Sequence, residues 1–277
     1  MRRLLLPALV VLGACTAPEP EAQTALISTM GFAWEIEEGV SRGFDLDGSA
    51  TAEGGATGCG IEDFVSPDGE PGIDNSFAPI LPALENIGGD ALEPLVQESI
   101  DSGELLLMIE MIGLEDPMDD ECVDLHVQRG IGPPAIGTDG FILPGQTYER
   151  DPDAPDSFVD CATMSDGVLW AQPFSMRLPL NIFDEFVDFE MLDGILEMTF
   201  EDDGTYSGLF AGGVDTAELN ANVQGLDAIP EAIPELVETV MDIRADLAPT
   251  AGGDCSRISI TFQFGGVSAH LFADEDE

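Results

Sequence analysis

Strict two-residue alternation of apolar and polar side chains recurs along this chain, and it constrains the fold more than any other feature. Phe174, Met176, Leu178 and Leu180 alternate with Ser175 and Arg177. Leu196, Met198 and Phe200 alternate with Glu197, Thr199 and Glu201, and Ile258, Ile260, Phe262 and Phe264 alternate with Ser259, Thr261 and Gln263. Successive strand side chains point to opposite faces, so each run describes a strand with one apolar face. Asp202-Asp203-Gly204-Thr205, between Phe200 and Tyr206, is a hairpin turn by its Asp-Gly step, and Phe158 to Val214 reads as an antiparallel meander. Val123, Leu125 and Val127 alternate with Asp124, His126 and Gln128, which predicts a strand with His126 on its wet face. The nearly all-apolar run Leu105 to Ile112 predicts a central strand buried on both faces.

The period becomes helical in two places. Leu92, Leu95, Val96, Ser99 and Ile100 form one stripe, with Asp90 and Glu93 as capping residues and Gly103 as a stop, which predicts a helix over 91–102 and a shorter one over 80–86. Leu236, Val240, Ile243 and Leu247 predict a second helical segment starting near Pro230 or Pro234. The expected fold is mainly β, an antiparallel sandwich or curved sheet carrying two helical segments, with α+β as the alternative. A Cys precedes a strand in both DDECVDLHV and GGDCSRISITF, an echo that suggests halves at 31–144 and 157–272 with 145–156 as linker. An acidic tail, 273–277, closes the chain.

With 44% hydrophobic residues the chain can bury a core despite 55 acidic residues and a formal charge of −47. All eight basic residues are Arg, and no Lys is present. This charge excludes nucleic acid as a partner and makes divalent cations the natural counterions; salt adaptation gives the same acidic excess.

Residues 1–14 have the form of a secretory signal. Arg2 and Arg3 precede the apolar run Leu4 to Leu12, which is too short to span a bilayer, and Leu12-Gly13-Ala14-Cys15 follows. This segment resembles the lipobox of bacterial lipoproteins. The resemblance implies cleavage before Cys15, thioether diacylation of Cys15, and membrane attachment through that lipid. Residues 15–30 are then expected to act as a flexible tether, and Thr16 after the anchor, where Asp would retain the protein at the inner membrane, implies the outer membrane.

The remaining cysteines, Cys59, Cys122, Cys161 and Cys255, are an even set in an exported chain and predict two disulfides with three connectivities open. No Cys-x-x-Cys occurs, which with two His argues against zinc.

Asp45 and Asp47 in FDLDG, with Asp68, Glu70, Asp74 and Asn75 in SPDGEPGIDN, place hard oxygen ligands on Gly-rich loops, the donor set of Ca²⁺. The register is not that of an EF-hand, since counting from Asp45 puts Ala50 at the Gly position and Ala56 at the Glu position. Ordinary Asx-turns use the same residues. No nucleophile elbow, zincin helix or phosphate loop occurs, and His126 and His270 read as surface residues.

The stretches GFDLDG, GCGIEDFVSPDGEPGIDN, DDECVDLHVQRG and GGDCSRISITF together resemble uncharacterised cell-envelope lipoproteins of myxobacteria-like Gram-negative bacteria. That resemblance implies an envelope location and a calcium loop. The expected function is a non-catalytic structural or recognition module, lipid-anchored in the envelope, meeting an envelope protein or glycan. The alternatives are a carrier of lipid or another apolar ligand, with Met108, Met111, Met176, Met191 and Met198 lining a cavity, and a carboxylate-based hydrolase.

Overall fold

A computed structural model describes residues 22–88, 92–182, 185–226 and 232–272. Strand β1 (Ala22–Phe32) opens the fold, followed by four short strands, β2 (Glu35–Glu37), β3 (Val40–Ser41), β4 (Phe64–Val65) and β5 (Pro71–Ile73). Helices α1 (Leu81–Gly88) and α2 (Leu92–Ser102) lead into β6 (Leu107–Ile112), β7 (Asp119–Ile131), β8 (Gln146–Arg150) and β9 (Ser157–Ser165). The long strands β10 (Val168–Ile182), β11 (Glu185–Phe200) and β12 (Tyr206–Asp215) follow, then α3 (Thr216–Gln224), α4 (Ala232–Arg244), β13 (Leu247–Pro249) and β14 (Cys255–Leu271). No helix among the described residues is long and apolar enough to cross a membrane.

Eight strands pair antiparallel around a closed circuit, β1–β14–β12–β11–β10–β9–β7–β6 and back to β1. The fold is thus mainly β, a large antiparallel sheet curved into a barrel-like ring, as the alternation predicts. At eight strands the interior of such a ring is just wide enough to be filled by side chains. One register row shows the filling. Ala171, Leu196, Phe210, Phe262 and Phe32 stand opposite one another on five successive strands, and none is more than 6% exposed. The Phe262 ring packs 4.7 Å from Phe32 and 5.1 Å from Phe210, centroid to centroid. The neighbouring row, Trp170, Glu197, Leu209, Gln263 and Gly31, faces the other way and is only part-buried. A slip of one residue would exchange the two rows, which is why the alternation fixes the register.

A second, smaller circuit uses the opposite face of the same wall. β8 pairs parallel with the end of β14 and antiparallel with the end of β7, so β7, β8, β14, β1 and β6 also close on one another. This explains why Leu105 to Ile109 are buried without alternation: Ile109 faces one circuit and Met108 the other. The expected central strand is β6, between β1 and β7.

Several expectations are corrected. Residues 22–30 are not tether, because the uncharged run AQTALISTMGF finds partners on both sides as β1. Residues 145–156 are not a linker, because Gln146–Arg150 forms β8, and the first strand pairs with the last across any division into halves. The helix expected over 91–102 and the shorter one before it are α2 and α1, whereas the second expected segment, α4, is preceded by a helix that the periodicity does not mark, α3. α3 lacks a strong apolar stripe but is started by Asp215, whose carboxylate accepts the Glu218 amide at 2.9 Å. On α4 the buried residues are Ile233, Val237 and Met241, while Ile243 faces outward and Leu247 lies beyond the helix in β13. Cys15, the capping residue Asp90, Pro230 and the tail 273–277 lie outside the described residues.

Candidate metal-binding site and cleft

Residues 33–75 form a loop-rich layer on the outward row of the ring, and three devices fix it there. Asn75 donates through Nδ2 to the Ala33 carbonyl at 2.8 Å and to Ser41 Oγ at 2.9 Å, while its Oδ1 accepts from the Thr261 amide at 3.3 Å. Cys59 is disulfide-bonded to Cys255 at the start of β14. Gly43 passes so close to the sheet that a Cβ there would lie 2.9 Å from Ile73 Cγ2 and Thr261 Oγ1.

The layer folds around Asp74. Its amide donates to the Phe44 carbonyl at 2.9 Å, and its Oδ2 accepts from the Leu46 amide at 2.6 Å and the Asp47 amide at 3.3 Å. The turn this creates orients two more carboxylates. Asp45 Oδ1 accepts from the Gly48 and Ser49 amides at 2.7 and 3.0 Å, and Asp47 Oδ1 accepts from the amide and hydroxyl of Ser49, each at 2.8 Å. Carboxyl oxygens of Asp45, Asp47 and Asp74 come within 4.8 Å of one another. Asp45 and Asp47 are exposed, whereas Asp74 is 1% exposed and its Oδ1 has no hydrogen-bond donor.

Burial pushes the Asp74 carboxyl up to about 8, with Asp246, Asp63 and Asp47 adding repulsion against the opposing Leu46 amide. Asp246 is raised to about 7 by burial, against hydrogen bonds from the amide and hydroxyl of Ser259. Asp63 is also raised, first by burial and then by Asp47 and Asp45, and is in hydrogen-bonding reach of Asp74. Two agents can satisfy the Asp74 carboxyl under these conditions: a proton shared with Asp63, or a cation shared with Asp45 and Asp47. A hard divalent ion suits an all-oxygen set of this kind, since Ca²⁺ takes six to eight oxygens, carboxylates either mono- or bidentate.

Of the six expected ligands, the fold brings together Asp45, Asp47 and Asp74. Asn75 is adjacent in sequence but its amide is spent in structural hydrogen bonds. Asp68 and Glu70 are exposed on the Ser66–Glu70 turn, outside the cluster. Sequence reasoning missed Asp63 and Asp246. Asp63 stands in view within GCGIEDF, but nothing marks Asp246, which the chain end of α4 carries to Ser259.

The second disulfide joins Cys122 to Cys161, completing one of the three open connectivities. Asp124 lies beside that pair, but disulfide sulfurs are not thiolates and do not form a metal site. His126 is on the wetter face of β7, as expected, with Nδ1 2.8 Å from Asp156 and its ring 4.7 Å from Phe158; His270 is exposed on β14.

A cleft of about 1450 Å³ runs between this layer, the N-terminal end of α2 and the outward row of the ring. Asp45 belongs to both the carboxylate cluster and the cleft wall, and Asp68 and Glu70 line the cleft too. Trp170 stands in the wall with its ring edge-on to Phe44, 5.9 Å between centroids, beside Glu197, Gln263, Gln97 and Arg42. Desolvation raises the Glu197 carboxyl. The five methionines expected to line a carrier cavity are packed in the core, and Met176 also borders a smaller second cleft.

Fold and site together define a closed antiparallel β-ring bearing a stapled acidic layer and a polar cleft. Comparisons with protein-family profiles, with curated proteins and with solved structures find no match for this chain.

Proposed function

We propose that this chain is a lipid-anchored protein of the cell envelope, most simply of the outer membrane, that acts as a non-catalytic recognition module. Asp45, Asp47 and Asp74 hold Ca²⁺, and the ion sets the shape of the acidic layer that forms one wall of the cleft. The observation that carries the reading is the buried Asp74 Oδ1, which lacks a protein donor and belongs to a carboxyl grouped with two others. A buried polar atom left unmatched costs on the order of 1–3 kcal/mol, which a coordinating cation recovers when it displaces the proton shared with Asp63.

The cleft suits a glycan. The aromatic side chains Phe44, Trp170 and Phe264, the amides of Gln97 and Gln263, hydroxyls and several carboxylates are groups of the kinds that pack on and hydrogen-bond to sugars, and the charge of the chain excludes a polyanion. The anchor reading rests on Leu12-Gly13-Ala14-Cys15 after the apolar run.

Calorimetric titration of Ca²⁺ into the metal-stripped chain at about pH 7.5 tests the site, within the range where the cluster can exchange protons for metal. Binding of one ion that Asp74→Asn abolishes and Asp68→Asn leaves intact supports it; equal heats in wild type and Asp74→Asn refute it. Retention on envelope polysaccharide in Ca²⁺ but not in EDTA supports the glycan, and Ca²⁺-dependent retention of envelope protein alone replaces it with a protein partner.

A further inference from the structure

The pairing pattern gathers the uncharged parts of a highly acidic chain at one edge of the fold. Residues 22–33 and 255–272 contain no carboxylate, and 131–147 contain one, Asp139, although 55 of the 277 residues are acidic. Strand register sets the three stretches side by side: Ala269 stands opposite Thr24 on one side and Gln146 on the other. The Gly145 amide donates to the Ser268 carbonyl at 2.6 Å and the Phe272 amide to the Tyr148 carbonyl at 2.9 Å.

Of the ten large apolar side chains exposed among the described residues, five belong here: Phe141 at 67%, Phe272 at 58%, Ile131 at 47%, Leu143 at 46% and Ile136 at 43%. The loop that carries most of them is held in shape. Ile136 pairs with Ile142, the Gly137 amide donates to the Phe141 carbonyl at 2.7 Å, and the Gln146 amide group bonds both main-chain atoms of Ala135 and the Leu143 carbonyl. Its apolar side chains are therefore displayed by a braced hairpin, at little further ordering cost on binding. Apolar side chains exposed in a group mark an interaction surface.

The chain outside the described residues identifies what the surface meets. β1 starts at Ala22, two residues from the Thr24 that faces Ala269, so the N-terminus leaves the fold at this edge. Cys15 is seven residues earlier, and a fully extended chain covers at most ~3.6 Å per residue, so the lipid on Cys15 lies within roughly 25 Å of Ala22. We propose that this edge is a membrane-docking surface: Phe141, Leu143 and Phe272 insert at the headgroup–acyl boundary of the bilayer that holds the Cys15 lipid. The inference rests on the anchor reading. Because Asp274 to Glu277 follow Phe272 and Ala273 in a highly acidic chain, the contact is expected with zwitterionic rather than anionic headgroups. Lipid chains and apolar side chains then act as two membrane signals on one side of the molecule, which fixes its orientation and points the far end, with α4, away from the bilayer.

The test uses the full chain purified from membranes and reconstituted in phosphatidylcholine vesicles, with and without bromine on the acyl chains. Phe141→Trp is compared with Ile243→Trp, an equally exposed position on α4, each measured over the background of Trp34 and Trp170. The mass of the N-terminal peptide reads lipidation separately. The inference predicts that the indole added by Phe141→Trp gives a blue-shifted component quenched about twofold or more by bromine, and that Ile243→Trp gives none. Quenching in Phe141→Trp without lipid on Cys15 keeps the docking surface and removes the anchor reading. Lipid on Cys15 with an unquenched, water-exposed indole in Phe141→Trp overturns the docking surface alone. Self-association that Phe141→Ser abolishes, with no quenching, overturns it in favour of a second copy of the chain.

Discussion

Asp74 Oδ2 accepts the Leu46 amide at 2.6 Å, so the carboxyl that nucleates the 45–49 turn spends one oxygen on the backbone and leaves the other, Oδ1, buried without a hydrogen-bond partner. The turn and the cluster are thus one device. The amides that shape the loop also decide which carboxylate oxygens are left for a ligand.

Without metal, stability should fall as pH rises. Unfolded carboxyls ionise near 3.8, whereas folded Asp74 and Asp246 keep their protons to about 8 and about 7. The folded chain binds more protons across that window, so stability is highest near the unfolded value and declines toward about pH 8. Thermal midpoints in EDTA between about pH 5 and 9 should drop steadily for the wild type and more gently for Asp74→Asn and Asp246→Asn. A flat wild-type profile would contradict the buried acid cluster.

The two disulfides should differ in what they protect. Replacing Cys59 and Cys255 by Ser removes a cross-link across 196 residues and should cost about 2–4 kcal/mol, read from denaturant unfolding, with weakened Ca²⁺ binding as the acidic layer loosens. Replacing Cys122 and Cys161 should lower stability but leave Ca²⁺ affinity unchanged, since that bridge joins β7 to β9 away from the cluster.

Asn75 and Asp68 should separate structure from ligation. Asn75→Ala leaves the Thr261 amide and the Ala33 carbonyl without this partner and should cost about 2–4 kcal/mol in urea unfolding. Asp68→Asn, on the exposed turn, should change neither stability nor Ca²⁺ affinity by a measurable amount.

Phe262 joins the interior row of the ring to its neighbours on both sides. Phe262→Ala should lose about 3–5 kcal/mol by urea denaturation, whereas Phe158→Ala, an exposed phenylalanine on β9, should lose under about 1 kcal/mol.

The sheet is legible in the sequence where burial is one-sided. Phe174 to Leu180, Leu196 to Phe200 and Ile258 to Phe264 each show the two-residue period, and the Asp203-Gly204 turn fixes one hairpin. Closure is not legible, because pairing between β1 and β14 spans the chain and β1 is apolar on both faces. Residues 22–30 read as tether because Gln23, Thr24, Ser28 and Thr29 break up the apolar positions and leave no two-residue period. In the site, Asp45, Asp47 and Asp74 are marked by their glycine-rich turns, but one-dimensional spacing does not tell Asp74 from Asn75. That choice depends on which side chain Thr261 and Ala33 claim. Asp246 carries no local signal, since only the return of α4 to β14 brings it near Asp74.

Thermal unfolding of the chain at matched ionic strength in excess Ca²⁺, excess Mg²⁺ and EDTA reads the cation site itself. A ligand at about a hundred times its Kd adds about 2.7 kcal/mol, which for a chain of this size raises the midpoint by roughly 5 to 10 °C. A Ca²⁺ site at Asp45, Asp47 and Asp74 should give a rise of that order in Ca²⁺, a smaller one in Mg²⁺, which demands a stricter octahedron, and no Ca²⁺-selective rise in Asp74→Asn. Equal small shifts with both cations, unchanged in Asp74→Asn, would mean diffuse screening of the acidic surface and would contradict a metal site at Asp45, Asp47 and Asp74.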